Sequence, residues 1–493
     1  LIELDFNAIW CLANPGKSKV PSRVCDNALP SLKVMDRHII MSITSSQIEA
    51  LQFQLKYIGG IENLSLSELY SHVDSETVQM MLEQAARFTQ EYLEPLASSG
   101  DMAGCRLVDG KVQLPDGTLQ AWQHWCALGF PALSLPPEHE GLGFPRVVQC
   151  AVQEISDGAN MAFGMLGINL RCAALALMKN TGTEHAQQYI PGLVSGELAS
   201  TIAISEPQAG SDVGRILTSA QPQSDGSFKL TGSKIWISYA DHNATSEIIH
   251  LVLARIPGGE AGTRGLGLFL VPANKNAAGK QTNGISILRL EHKMGLHASP
   301  TCVMELNGAS GHLIGEAGKG LQALFVMMNA MRLAVAVQGA AVANVSALHA
   351  IQYALERPQG GSSKAAPLMI ASHADVRRML LEMTAQGELA RALALRTANM
   401  LDQAEADPDS TNSSWLALGE MLLPLAKTLN AETAFEVASQ GIQVLGGYGY
   451  TSDYPLERLA RDIRVAAIYE GTSGIQALDF LKRRVLADKG ESI

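Results

Sequence analysis

One carboxylate is set apart by its surroundings. In RDIRVAAIYEGTSGIQALDFLKRRV (461–485) an apolar run ending at Ile468-Tyr469 breaks on Glu470, and Gly471 follows as a flexible hinge. Ser473 and Gln476 have the S-x-x-Q spacing of a capping box, which satisfies two orphan amides at a helix start. The spacing predicts a short loop that holds the acid between two ordered elements. Such an acid takes a proton from a substrate only when desolvated, because an exposed glutamate of pKa about 4.3 is a poor base. The competing expectation is the ordinary one, a solvated loop carboxylate.

Three other stretches carry groups that could face a ligand. ISEPQAGSD (204–212) joins a Pro turn, small residues and hydroxyls, so its amides could face an electron-rich ring or an anion. Taken alone it reads first as an entry turn to a β domain. GSKIWIS (232–238) places Trp236 and Ser238 on one face of a strand, as a cofactor wall or as ordinary core. QVLGGYGY (443–450) permits close backbone approach, yet a helix C-terminus running into a Gly turn explains it equally well. The sequence holds no Walker A, no H-E-x-x-H and no G-x-S-x-G, and its Gly-rich runs lack the G-x-G-x-x-G of a Rossmann site. Familiar NAD, ATP, zinc-protease and serine-hydrolase chemistries therefore have no support.

The elements that must position these groups change character twice. From about 44 to 198 the pattern is helical; SETVQMMLEQAARFTQEYLEPL carries Val78, Met81, Ala85 and Phe88 at helical spacing, with Ser75 as the expected cap. From about 199 to 312, short β-prone runs (FKLTGSKIWIS, IIHLVLARI, GLGLFLVP, GISILRL, TCVMEL) alternate with Gly- and Asn-rich turns, which predicts an antiparallel β domain. Helices return from 313 to 493: one over 318–357, one over 373–403, then the acidic loop EADPDSTNSS, a third over 414–440 and a fourth from Ser473. Four helices with short links predict a bundle. Residues 1–43 are set aside as a leader, non-native or disordered; they do not look like a signal peptide.

Composition narrows the function classes. The 493 residues allow two or three domains, and 47% apolar with only 5% aromatic suits packed helices. A net charge of −11 disfavours a nucleic-acid surface. No run of 18 uncharged apolar residues exists to span a membrane; residues 163–178 come closest, interrupted by Asn169 and Arg171. Seven cysteines scattered without a C-x-x-C pair predict reduced thiols in a cytoplasm rather than a disulfide scaffold or a zinc site.

Taken together, SEPQAGSD, GSKIWIS, LERPQGG, QVLGGYGY and RDIRVAAIYEGTSGIQ resemble, in order and spacing, the acyl-CoA dehydrogenase family over roughly residues 60–490. The resemblance implies an α+β multidomain fold: an all-α N-terminal domain, a middle antiparallel β-barrel domain and a C-terminal four-helix bundle, in a homodimer or homotetramer. EIIHLVLARIPGG, HADVRRML and the stretch from Glu291 to Leu333 look most like the branch of 3-methylmercaptopropionyl-CoA dehydrogenases, which act on short or thioether acyl chains. That branch usually carries a further helical extension, whereas this sequence stops at Ile493, which implies truncation or a shorter sister group.

The implied chemistry is FAD-dependent α,β-dehydrogenation of an acyl-CoA thioester, with electrons passed to an electron-transfer flavoprotein. Glu470 falls where the family has its base. It would take the α-proton while its own amide and a flavin ribityl hydroxyl bind the thioester carbonyl, and hydride would pass from Cβ to flavin N5. By the same carry-over Ile202, Ala203, Ile204, Ser205, Gly210, Ser211, Trp236, Ile237 and Ser238 would surround the flavin ring. Arg357, Gln359, Gln443, Val444, Leu445, Gly446 and Gly447 would reach the ADP half of a neighbouring subunit's cofactor, joined by Thr472 and Gly474; the family more often has Asn or Gln at the last position. Ser211, Asn329, Arg332, Tyr469 and Gly471 would meet substrate, with a helix-surface salt bridge as the other expectation for Arg332. Arg461-Asp462 reads as a structural ion pair, and the Ala-rich 334–344 as close helix packing. An oxidase using O₂ shares this fold and base, and a flavin-bearing relative that binds DNA is a third reading, against which the charge of −11 speaks.

Overall fold

A computed structural model of the chain describes residues 45–180, 184–407, 414–487 and 489–490. The leader expected at 1–43 lies outside the described residues, as does 408–413 of the expected acidic loop.

Helices fill the first part: α1 Ser45–Tyr57, α2 Ile61–Leu64, α3 Ser75–Phe88, α4 Glu94–Ala103, α5 Thr118–Ala127, α6 Arg146–Lys179, α7 Glu184–Gln187 and α8 Ile190–Ser195. A small antiparallel hairpin, β1 Arg106–Val108 with β2 Lys111–Gln113, interrupts them. Helix α3 buries Val78, Ala85 and Phe88 as its periodicity requires, with Met81 half-buried. Its cap is Asp74 rather than Ser75, because the Asp74 carboxylate accepts the Thr77 amide at 2.7 Å and suits the positive helix end. Helix α6 crosses the core and breaks its regular geometry at Asn160 (φ −149°, ψ 81°), whose side chain re-caps the second half by accepting from the Phe163 amide.

Seven strands follow: β3 Leu198–Ala203, β4 Ser219–Pro222, β5 Phe228–Ser238, β6 Glu247–Arg255, β7 Leu266–Pro272, β8 Ile285–Leu290 and β9 Thr301–Ile314. Strand β9 pairs antiparallel with β5, β7 and β8, and β6 pairs antiparallel with β7. The antiparallel pairing expected of the middle domain holds only in part. The seven strands form one mixed sheet, in which β3 runs parallel to β6 and a single bridge, Ser219 to Arg255, sets β4 parallel to β6. The parallel pairs arise because β3 is reconnected to β6 only after β4 and β5 have crossed over, so β6 enters in the same direction.

Helices then return as α9 Gly320–Glu356, α10 Ala374–Ala406, α11 Ser414–Leu445, α12 Leu456–Ile463 and α13 Ser473–Asp479. The first three are the expected long ones, mutually packed, with α6 against α9. The expected fourth is only the seven residues of α13 followed by a π-helical turn, Phe480–Val485, and α12 precedes it unforeseen. The Ala-rich stretch packs as expected: a Cβ on Gly339 would come within 2.5 Å of the Asn430 backbone, so only glycine allows α9 and α11 this close. Helices α6 and α9 are long and apolar enough to cross a membrane, but 83% and 61% of their most apolar windows are buried inside the protein.

Candidate active site

Glu470 lies where α12 ends. A 3₁₀ turn, Arg464–Ala467, leads into Ile468 and Tyr469, and then Glu470 (φ +53°) and Gly471 (φ +92°) take successive left-handed conformations that redirect the chain into α13. For glutamate that geometry costs about 1–2 kcal/mol, so neighbours must hold it. Gln476, buried on α13, donates to the carbonyls of Glu470 (2.8 Å) and Gly471 (3.2 Å). Lys427 of α11, 0% exposed, donates from Nζ to the Gly471 carbonyl at 2.7 Å. The expected capping box is therefore displaced by one residue. Thr472 is the cap, accepting the Ile475 amide; Gln476 reaches back to carbonyls rather than an amide; and Ser473 donates to Glu432 at 2.7 Å. Among the described residues the Glu470 amide itself makes no hydrogen bond.

Glu470 is half-buried rather than a fully solvated loop acid. Burial pushes its carboxyl above the usual range, opposed by the cations Lys427 and Arg332. Lys427 is in turn drawn down to about 8 by burial, with the Glu470 charge holding it up. Arg332 is 3% exposed on α9 and pairs with the buried Asp479 at 2.8 Å, which removes the surface-salt-bridge reading. Tyr469 packs inward, its hydroxyl on Gln338 Oε1 and 4.0 Å from Met165 Sδ. Burial, with the charges of Asp157 and Glu470, pushes that phenol well above its ordinary range. Asn329, also on α9, faces Glu420, which pairs with Arg484, and its own Oδ1 is buried without a partner.

A second cluster ties two of the expected motifs together. Lys234 (0% exposed, on β5) pairs with Glu206 at 2.8 Å and donates to the carbonyls of Ile204 and Leu253. Glu206 also accepts the amides of Leu217 and Thr218, and the Ile235 amide bonds the Ser205 carbonyl at 2.9 Å. Burial works against the Glu206 charge, but Lys234 and the donors outweigh it and hold the acid at about 2. The 204–212 loop is thereby fastened along β5 where that strand slips register between Lys234 and Ile237. The slip overturns the simple alternation expected of Trp236. At φ +64° its indole turns out and is 58% exposed, whereas Ile237 is buried and Ser238 half-buried, so Trp236 is not ordinary core. Ala203 is buried, Ile202, Ile204 and Ser205 are half-buried, and Gly210 and Ser211 are exposed at the loop end.

The third set gathers in a groove of about 440 Å³ lined by Arg357, Gln359 and Val444 to Gly447, with Tyr353 and Tyr448. The Arg357 guanidinium lies over the Tyr448 ring, 5.4 Å from its centroid. Nothing lies within 4 Å of a Cβ built on Gly446 or Gly447, so a ligand can meet bare backbone there. Gln443 is exposed but outside the lining, and Gly474 is exposed with no side chain to offer. No hydrogen bond or ion pair among the described residues links this groove to the Glu470 cluster. Arg461 and Asp462 do not pair with each other: Arg461 binds Asp101 and Glu457, while Asp462 takes the Leu296 amide and Arg458.

Lys427, Asp479, Gln338 and the Glu206–Lys234 pair were not singled out from sequence. The available signal was a lone cation inside an apolar run, in LLPLAKTL and in SKIWI.

Comparison with known proteins places this arrangement. Descriptions of the acyl-CoA dehydrogenase N-terminal, middle and C-terminal domains match residues 75–197, 201–309 and 318–486 in order. The chain belongs to the acyl-CoA dehydrogenase family and is an oxidoreductase. It is 39% identical to the 3-methylmercaptopropionyl-CoA dehydrogenase of Ruegeria pomeroyi over 90% of this chain and 77% of that protein. It is 32% identical to a broad-specificity linear acyl-CoA dehydrogenase of Mycobacterium tuberculosis over 92% and 77%. Among solved structures, the acyl-CoA dehydrogenase of Bacillus anthracis complexed with FAD shares the fold, with a TM-score of 0.71 at 23% identity, covering 85% of this chain and 70% of that one.

Proposed function

We propose that this enzyme, with FAD as its cofactor, forms an α,β double bond in a short or thioether acyl-CoA, such as 3-methylmercaptopropionyl-CoA, and that Glu470 is the base. The observation that carries this reading is a half-buried carboxylate on a pinned left-handed turn, its amide free, with Lys427 and Arg332 buried on neighbouring helices and opposing the rise of its pKa. Desolvation supplies the basicity that an exposed glutamate lacks. The unbonded Glu470 amide is a donor for the thioester oxygen as enolate charge develops, while the carboxylate takes the α-proton. When bound, FAD supplies the acceptor for the hydride leaving Cβ.

The residues present fit that cofactor. Trp236, turned outward beside the 204–211 loop, offers an aromatic wall for the ring. Arg357 and the open Gly446-Gly447 backbone offer a pyrophosphate its usual partners, a guanidinium fork and free amides. A second copy would bring that groove to a neighbour's cofactor. Leu381, Leu389, Leu416 and Leu429 on α10 and α11 are exposed, and a homodimer or homotetramer would cover such a face. An electron-transfer flavoprotein as acceptor and a cytoplasmic location complete the reading. Similarity to the Ruegeria pomeroyi enzyme favours the thioether substrate over other acyl chains.

The test is flavin bleaching. Anaerobic mixing with a panel of acyl-CoAs, including 3-methylmercaptopropionyl-CoA, is expected to bleach the flavin fastest with short or thioether chains. A purified protein that is colourless and refuses FAD ends the proposal, and rapid peroxide release under air transfers it to an oxidase.

A further inference from the structure

The base loop is held by a lysine that pairs with no carboxylate. Lys427 rises from α11 into a fully buried position and donates to the Gly471 carbonyl. Among the described residues it makes no ion pair. Burying an ammonium beside a carbonyl carries a solvation cost that a glutamine would not incur, so the charge calls for an explanation. The explanation lies one residue from its anchor, in the Glu470 carboxylate.

We propose that Lys427 is a positioning residue for the base: it pins the left-handed turn at Glu470-Gly471 and, as a cation facing the carboxylate, sets the pH range over which that carboxylate can accept a proton. The inference rests on the reading of Glu470 as base. Each element packed around Glu470 contributes to its field. Helix α11 brings Lys427, with Glu432 beside it engaged by Ser473; α9 brings Arg332, already paired with Asp479 of α13; α6 brings the buried Cys172, whose thiol also feels the Glu470 charge; and the loop brings Tyr469. Arg332 spends its charge largely on Asp479, which leaves Lys427 as the cation that chiefly offsets the burial of Glu470, consistent with its place as the larger of the two opposing influences. The sign follows. The base works only when ionised, burial raises its pKa and Lys427 lowers it again, so removing the cation makes the base stay protonated to higher pH.

The experiment uses the FAD-loaded enzyme and follows anaerobic flavin bleaching by 3-methylmercaptopropionyl-CoA across about pH 6 to 9. In Lys427→Met the acid limb of the rate profile is expected to move up by about one pH unit or more, a roughly tenfold loss at a fixed pH on the limb. Lys427→Gln, which keeps a donor for the Gly471 carbonyl but no charge, is expected to move the limb as far, and Lys427→Arg to restore it. A uniform loss at every pH with the limb unmoved in both neutral variants makes Lys427 a merely structural residue and overturns the proposal, as does an arginine variant that behaves like methionine. Glu470→Gln serves as the separate control. If it is dead while the Lys427 limb stays fixed, only this inference fails; if it bleaches like the parent, the base assignment fails with it.

Discussion

Two fully buried lysines each stand beside a glutamate, and the two pairs do opposite things. At Lys234 and Glu206 the charges meet at 2.8 Å, two carbonyls take further ammonium donors, and two amides serve the carboxylate. At Lys427 the ammonium meets a carbonyl instead, and Glu470 feels the charge without a direct bond to it. The first acid is held at about 2 and is inert near neutrality; the second is raised and available. The same two residue types thus make a rivet or leave the carboxylate unengaged with its pKa raised, depending on whether the carboxylate's lone pairs are filled.

Substitution of each acid should pull the comparison apart. Glu470→Gln is expected to fold, keep its yellow cofactor and lose about 10² to 10⁴ in bleaching rate. A near-normal rate in that variant would remove Glu470 from the chemistry. Glu206→Gln is expected to do the reverse. It leaves Lys234 buried and unpaired, at a cost of about 3–5 kcal/mol, with whatever folded protein remains still bleaching. Denaturant unfolding checks it, and a stability equal to the parent would show that the pair holds nothing. The pH dependence has a definite sign as well. Because the folded-state pKa of Glu206 lies below its ordinary 4.5, its contribution is full above that value and is lost as pH falls toward about 2.

How much of this was legible depended on where the partners lay in the chain. Strand β5 was readable residue for residue, since a β-branched and aromatic run needs only its own side chains to be recognised. The register slip that turns Trp236 outward was not, because it is set by pairing with β9 and by the Ser205 carbonyl some thirty residues back. Glu470 stood out by isolation, and the family motif implied a role, but the cations that act on its carboxyl, Lys427 on α11 and Arg332 on α9, lie outside any local window. Lys427 lies 44 residues from the carbonyl it holds, so the lone cation in an apolar helix carried no sign of its purpose. Helix α12 was missed because DYPLERLARDI is short and charged, and the structure pays for it through contacts with α11.

A third cation sharpens the contrast by facing open space. Arg357 makes no ion pair among the described residues and lies over Tyr448 at the rim of the groove. If the groove receives a pyrophosphate, Arg357→Met should weaken FAD retention about 10- to 100-fold, from the loss of a charged hydrogen bond, while the acid limb of the bleaching profile stays in place once FAD is saturating. Titration of the dialysed protein with FAD measures it, and unchanged affinity would move the cofactor's phosphates elsewhere.

The smallest effect is expected at a third carboxylate. Asp157 of α6 is fully buried; Gln153 donates to one oxygen at 2.8 Å, while the other has no partner and lies so close to Gly164 that a Cβ there would come within 1.8 Å. Burial raises its pKa to about 7, with Gln153 and Arg171 opposing. A folded-state pKa above the ordinary 3.8 means that the native state favours the proton, so stability falls as pH rises from about 4 to about 7. Asp157→Asn keeps an acceptor for Gln153 and removes the charge. It should therefore be more stable than the parent by about 1–2 kcal/mol at pH 8, with the difference shrinking as the pH approaches 4. Thermal melts at those two pH values decide it. An asparagine variant that is less stable at pH 8 would mean that the Asp157 charge has a donor in the folded protein and belongs with Glu206 rather than with Glu470.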